Sequence, residues 1–421
     1  MGAPLRVAVV ARAVMPLHGV GGLERSVHDL VNYLAARGVD VTLITPPAWS
    51  KDGASPFDPQ RVTLRPVSYV TFPFANRRGT TILDRSTAYP WFGRRAGGVA
   101  AELAATGAVD IVHGFGASVL GYAAARSRIG VPLVVNPQGL EEFGATGTQP
   151  ALKRAAYWPL RRAVRATTRA ADAIIATDRA LVPTLMRHLE PRPDRVRVIP
   201  NGIDLSVIDE LANAADGERV RARHGLAPRE IVLLSVGRLE ANKGFDDLAA
   251  ALGRSAKGRG PLAGSTWRWV LVGSGPFATD IERAVGAHGL ADRVLFAGRA
   301  SDADLHAWYE AATLFVHPTR YEGSSLVTLE AMAHRRPIVA TRAGGLPDKV
   351  FPDVNGWLVA PGDDEALENA LRAALDARCR WREMGDSSRA IVERDFSWSV
   401  VLDRLQELFE GLLQETTTRI S

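Results

Sequence analysis

The chain has 421 residues, too many for one ordinary hydrophobic core, so two domains are expected. With 46% hydrophobic and 23% charged residues the composition is globular, and no apolar run reaches the roughly 20 residues that span a bilayer. The net charge of +5 is uneven: residues 1–200 carry 25 Lys/Arg against 14 Asp/Glu, so this half is expected to meet something anionic. The single cysteine, Cys379, excludes an internal disulfide and a Cys-based metal cluster, which makes the cytoplasm the expected compartment.

The opening run LRVAVV reads as a first strand rather than a signal peptide. A loop with Gly19, Gly21 and Gly22 follows, then a helix over LERSVHDLVNYLAARG with Val27, Leu30, Val31 and Leu34 on one face. VDVTLITP, VDIVHGFG, VPLVVNPQG, DAIIAT and DRVRVIPNGI are further strands, each ending at polar or glycine-rich residues. Strands alternating with helices predict a parallel sheet covered on both faces. After PNGID the pattern restarts with REIVLLSVG, WRWVLVGSG, DRVLFAG, ATLFVHPT and RPIVATRAGG. The fold class is therefore α/β, with two doubly wound domains over 1–204 and 205–395. Residues 396–421 are expected to form a closing helix with a stripe of Val401, Leu405, Leu408 and Leu412, packing back towards the first domain.

Three glycine loops follow strands. GVGGLER allows backbone N–H groups to approach an anion. GSGP at 273–276 lacks the third glycine of a dinucleotide fingerprint and reads as a tight turn. VGRLEANKGF places Arg238 and Lys243 in one loop, and no P-loop is present. Asp302 and Asp304 resemble a metal-binding pair in spacing but precede a helical run, so Ser301 or Asp302 is expected to cap that helix.

ATLFVHPT is followed by RYEGSSLVTLEAMA, with Gly323, Ser324 and Ser325 at the entrance of a helix starting near Leu326. Free N–H groups and the helix dipole there favour a diphosphate. Glu322 precedes the helix and Glu330 is expected about two turns into it; both carboxylates can accept bonds from hydroxyls. On their own chemistry they fit equally well a dipole-complementing charge and a solvated helix residue.

The second half resembles the group 1 retaining glycosyltransferases of family four, which have the GT-B fold. The resemblance rests on IPNGID, GRLEANKG, LVGSGP, VLFAG, EGSSLVTLEAMAHRRPIVAT, AGGLPDKV, GWLVAPGD and the final FSW, with GGLER and DIVH in the first half. It implies two Rossmann-like domains facing each other across a cleft, the first for acceptor and the second for a nucleotide-sugar donor. Arg238 and Lys243 would hold the donor diphosphate and Glu322 the transferred sugar, with help from the backbone at Gly323, Ser324, Ser325 and Leu326. Glu330 would bind the ribose, Phe296 to Arg299 would flank the base, and Gly21 and Gly22 would approach the phosphates. The activity implied is a metal-independent, retaining transfer of a hexose from a UDP- or GDP-sugar, with no cofactor, in cell-envelope glycan, glycolipid or polysaccharide biosynthesis. A sugar-nucleotide epimerase and a catalytically silent nucleotide-sugar binding protein are the alternatives.

The sequence departs from the family pattern in the first half. His113 matches the first of two alternating histidines, a catalytic candidate or a core residue, while Phe115 replaces the second. Gln138 before Gly139 replaces a common histidine, and Glu141 or Glu142 is a candidate to orient the acceptor. Arg335 replaces a common glycine. Residues 151–170 carry Lys153, Arg154, Arg161, Arg162, Arg165 and Arg169 around Tyr157 and Trp158. That pattern fits an anionic membrane surface, a lipid-linked acceptor phosphate or a solvated helix face alike, and implies no nucleic acid.

Overall fold

The computed structural model describes residues 3–19, 21–48, 55–70, 80–137, 140–143 and 151–420. The chain divides into two units, Met1–Pro200 with Val401–Ser421, and Asn201–Val400. The sequence had placed these divisions after Asp204 and Asp395.

The first unit holds a seven-stranded sheet of β1 (Arg6–Val10), β2 (Asp40–Thr45), β3 (Val62–Pro66), β4 (Ile111–Phe115), β5 (Leu133–Asn136), β6 (Ala173–Ala176) and β7 (Val196–Val198). All pairings are parallel, in the order β3-β2-β1-β4-β5-β6-β7. The central strands are continuous apolar runs because both faces are covered by helices. β4, β5 and β6 are buried at every position. The helix Gly22–Ala36 buries Val27, Leu30, Val31 and Leu34, the face expected from its periodicity.

The second unit repeats the plan with β8 (Ile231–Val236), β9 (Trp267–Val272), β10 (Val294–Gly298), β11 (Leu314–His317), β12 (Ile338–Thr341) and β13 (Gly356–Val359). Their order is β10-β9-β8-β11-β12-β13, again all parallel. In each sheet the order runs outward from the first strand and then reverses, which makes a topological switch between β1 and β4 and between β8 and β11. Ser301 caps the helix Asp302–Ala311, accepting from Asp304 N at 3.2 Å, while Asp304 accepts from the Ser301 hydroxyl at 2.7 Å. The Asp302/Asp304 pair thus serves the helix start.

Several local expectations change. Residues 151–170 form two helices, Ala151–Ala156 and Trp158–Ala170, broken where Pro159 starts the second. The last helix, Trp398–Ile420, buries Val401, Leu405 and Leu412 as expected, but Leu402 and Phe409 complete its buried face and Leu408 is only half-buried. Arg335 has φ +56°, the left-handed conformation that glycine adopts without strain, which explains the glycine common at that position. Among the described residues no helix is long and apolar enough to cross a membrane.

Candidate functional site

Ligands of doubly wound sheets bind beyond the carboxyl ends of the strands, where loops leaving the two sides of a switch diverge. In the second unit the switch lies between β8 and β11. The loop after β8 carries Arg238 and Lys243, and the loop after β11 carries Glu322.

These loops are fastened to each other. Arg320 N and the Thr319 hydroxyl both donate to Asn242 O, at 2.8 and 3.0 Å. The Arg320 guanidinium binds Asp246 and Asp247 at the start of the helix Phe245–Ala256. Gly244 turns the chain between Lys243 and this helix at φ +65°, and a Cβ there would collide with Pro318 O. The sequence can therefore bring the Lys243 backbone against the end of β11 only with glycine at 244.

That approach delivers Lys243 Nζ to Glu322 Oε2 at 2.7 Å. His317, the last residue of β11, donates Nε2–H to the same oxygen at 2.8 Å. Glu322 Oε1 takes no hydrogen bond from the described residues, and the side chain is 14% exposed. Burial by itself would raise the Glu322 carboxyl; the His317 hydrogen bond and the Lys243 charge outweigh it and hold it at about 2. Burial lowers the His317 imidazole against the opposing pull of Glu322, so the ring is a neutral donor. Gly344 backs the arrangement: its φ is +50°, and a Cβ there would run into Glu322 O. His317 was missed in the sequence. Its signal was a histidine closing an otherwise apolar strand, five residues ahead of Glu322.

The helix Leu326–Ala333 begins directly after this cluster, with Ser325 at the N-cap. The Ser325 hydroxyl pairs with Thr328 Oγ1 at 2.9 Å and caps no backbone N–H, and the buried Ser324 Oγ has no partner among the described residues. The helix start is thus electropositive and furnished with unused donors. Glu330 lies little more than one turn into the helix, not two, and it is buried rather than solvated at 4% exposure, accepting from Tyr309 OH at 2.8 Å.

Other sequence candidates fall differently. Arg238 stands 76% exposed and pairs with Glu240 at 2.8 Å, apart from the Lys243–Glu322 pair. GSGP acts through its backbone: Leu239 N donates to Ser274 O and Phe277 N to Leu239 O, which braces the Arg238 loop. Phe296 is half-buried on the edge strand β10, and Arg299 is exposed just beyond Gly298.

In the first unit Gly21 is the N-cap of the helix Gly22–Ala36, and open space surrounds Gly22. His113 is buried in β4, stacked on Phe115 at 5.1 Å with Phe409 edge-on at 6.1 Å. Neither of its ring nitrogens has a partner among the described residues, and burial lowers the imidazole to about 4. Gln138 and Gly139 lie outside the described residues. Glu141 contributes backbone to the turn Glu141–Phe143, and the Glu142 side chain is largely buried.

Known proteins match in both units. Residues 20–207 match the family described as Glycosyltransferase Family 4, and residues 230–377 the family described as Glycosyl transferases group 1. The chain is 29% identical over 452 aligned positions to a D-inositol 3-phosphate glycosyltransferase of Acidothermus cellulolyticus, covering 99% of this chain and 92% of that protein. It is 31% identical over 290 positions to the alpha-D-kanosaminyltransferase of Streptomyces kanamyceticus, covering 68% and 72%. Among solved structures, sucrose-phosphate synthase of Thermosynechococcus elongatus superposes with a TM-score of 0.77 at 25% identity, covering 98% and 100%. Anabaena HepE in complex with UDP superposes with a TM-score of 0.71 at 20% identity, covering 97% and 100%. Two parallel-sheet units, paired family matches and full-length relatives lead to one assignment: the chain belongs to the group 1 glycosyltransferases and has the GT-B fold.

Proposed function

We propose that this glycosyltransferase moves a hexose from a UDP- or GDP-sugar to its acceptor with retention of configuration and without a metal. The observation that carries the reading is the shared oxygen of Glu322. Lys243 and His317 hold Oε2, which leaves Oε1 as an acceptor for a ligand hydroxyl, in the loop that leads into an electropositive helix start. Breaking the sugar–phosphate bond puts negative charge on the departing diphosphate. The remaining Lys243 protons, Arg238 and the N–H groups at Ser324 to Leu326 supply positive charge for it, the role a divalent ion plays elsewhere. A carboxylate held at about 2 is weakly basic, so Glu322 is suited to accepting hydroxyl hydrogen bonds rather than to attacking the anomeric carbon. That agrees with front-face transfer without a covalent intermediate, the course implied by the family resemblance. Glu330 takes the ribose hydroxyls. Gln138, Gly139, Glu141 and Glu142 belong to the acceptor side. Anabaena HepE, recorded with UDP and with UDP-glucose, supports a uridine donor. Thermal unfolding with UDP, GDP and ADP in turn tests the donor. A nucleotide at 100 times its Kd is expected to add about 2.7 kcal/mol of stability; no shift with any of the three defeats the reading.

The acceptor is presented at an anionic lipid surface, in keeping with glycolipid or polysaccharide biosynthesis. The helix Trp158–Ala170 buries Leu160, Ala163, Val164, Thr167 and Thr168 and turns Trp158, Arg162, Arg165 and Arg169 outward, with Trp158 62% exposed. Among the described residues none of Arg154, Arg162, Arg165 and Arg169 is paired with a carboxylate. Arg162 lies over the Trp158 ring, and a second exposed tryptophan, Trp91, has Arg95 over its ring on the helix Thr80–Ala105, which packs against this one. Arg165 donates to His188 O and lies over the Phe143 ring, and arginines without carboxylate partners beside exposed indoles match the headgroup region of a bilayer. The protein is expected to sediment with phosphatidylglycerol-containing vesicles and not with pure phosphatidylcholine. Joint reversal of Arg162, Arg165 and Arg169 to Glu is expected to weaken that binding at least tenfold. Equal binding to both vesicles, or to neither, counts against the membrane role.

A further inference from the structure

Behind Glu330 lies a buried polar row that the donor-site reading leaves unused. The helix Asp302–Ala311 brings His306, Tyr309 and Glu310 to one side, spaced three and four residues apart. The helix Leu326–Ala333 answers with Glu330 and, four residues on at its C-cap, His334. His306 Nδ1 and His334 Nε2 are 2.7 Å apart, and His334 Nδ1 lies 2.6 Å from Glu310 Oε1. Arg336 closes the row, 3.4 Å from Glu310 Oε2.

The row has a direction. Burial would raise the Glu310 carboxyl, but the His334 hydrogen bond and the Arg336 charge pull it below its ordinary value, so it is an ionised acceptor. His334 therefore donates through Nδ1–H. Its Nε2 shares the 2.7 Å contact with His306 Nδ1, one ring nitrogen donating to the other. The His334 ring is thereby fixed in rotation, and it lies nearly parallel to the Tyr309 ring, at 10° and 5.5 Å between centroids. Tyr309 is fully buried, packed between His334, His306 and Phe315, and its hydroxyl donates to Glu330 Oε2 at 2.8 Å, with Val327 O a more distant acceptor at 3.2 Å.

An apolar interface between these helices would hold them together as well as this row does, because buried polar groups gain little net stability. What the polar row adds is orientation. We propose that Tyr309 and His334 are positioning residues for Glu330: they hold its carboxylate in the rotamer that meets the donor ribose, with Glu310 and Arg336 as the outer anchor. The proposal rests on the reading of Glu330 as the ribose contact.

The test compares UDP, GDP and ADP with their 2′,3′-dideoxy counterparts by calorimetric titration of the full chain. The readout is the ratio of ribo- to dideoxynucleotide affinity, which a merely structural loss leaves unchanged. Wild type is expected to prefer the ribonucleotide, and Tyr309→Phe to reduce that preference about tenfold. His334→Ala is expected to reduce it in the same direction, and His334→Gln, whose amide both donates and accepts, to restore most of it. Wild type showing no preference for the ribose hydroxyls overturns the reading of Glu330 itself. Wild type showing the preference while Tyr309→Phe and His334→Ala keep it in full overturns the positioning role alone.

Discussion

Lys243→Ala is expected to lower turnover by about two to three orders of magnitude, the usual loss when one preorganised donor to a developing negative charge is removed. The geometry gives the substitution a second consequence. Lys243 and Glu322 are each about 15% exposed and share a 2.7 Å contact, so truncating the lysine leaves a mostly buried carboxylate with His317 as its remaining partner among the described residues. A stability loss of about 1–3 kcal/mol is expected, below that of a fully buried pair because His317 stays and solvent screens part of the charge. The pH dependence has a definite sign. Glu322 is held at about 2, below its ordinary 4.5, so its contribution is present above about 4.5 and lost as pH falls towards 2. In Lys243→Ala that contribution shrinks. Arg238→Ala is the contrasting case. Its side chain is largely in solvent and paired only at the surface, so turnover is expected to fall severely with the unfolding midpoint unchanged. Near-wild-type turnover in both variants would remove the diphosphate assignment from this loop.

The second large effect concerns His113. A buried imidazole at about 4, against 6.5 when free, takes up its proton far more readily in the unfolded chain. Stability is therefore full above about 6.5 and is lost as pH falls through 4, by on the order of 3 kcal/mol over that window. His113→Leu is expected to abolish this slope while remaining at least as stable at pH 7, because it removes two buried nitrogens that have no partner among the described residues. Chemical denaturation at stepped pH values measures both. An unchanged slope in the variant would assign the acid sensitivity to other groups. Loss of turnover in this variant without loss of stability would give the ring a part in the reaction as well.

The sequence by itself determined the alternation of strands and helices, the two-unit plan and the loops that carry the candidate residues. It did so because central parallel strands are apolar on both faces and announce themselves as short runs such as IVLLSV and LVVN. The two strands it passed over, β3 and β13, are edge strands with half-exposed, mixed sequences, VTLRP and GWLV, where that signal fades. Glu322, Lys243 and Glu330 were legible as candidates through motif order, since each loop's residues are local to one strand end. What only the tertiary structure decided is who meets whom. Lys243 and Arg238 are equivalent on paper, yet Gly244 presses one against β11 and leaves the other in solvent. His317 and Tyr309 drew no attention as single residues, because a partner's value depends on the atom it reaches. Both reach a carboxylate, one at each end of the same short stretch, and contacts between distant segments are set by packing rather than by spacing along the chain.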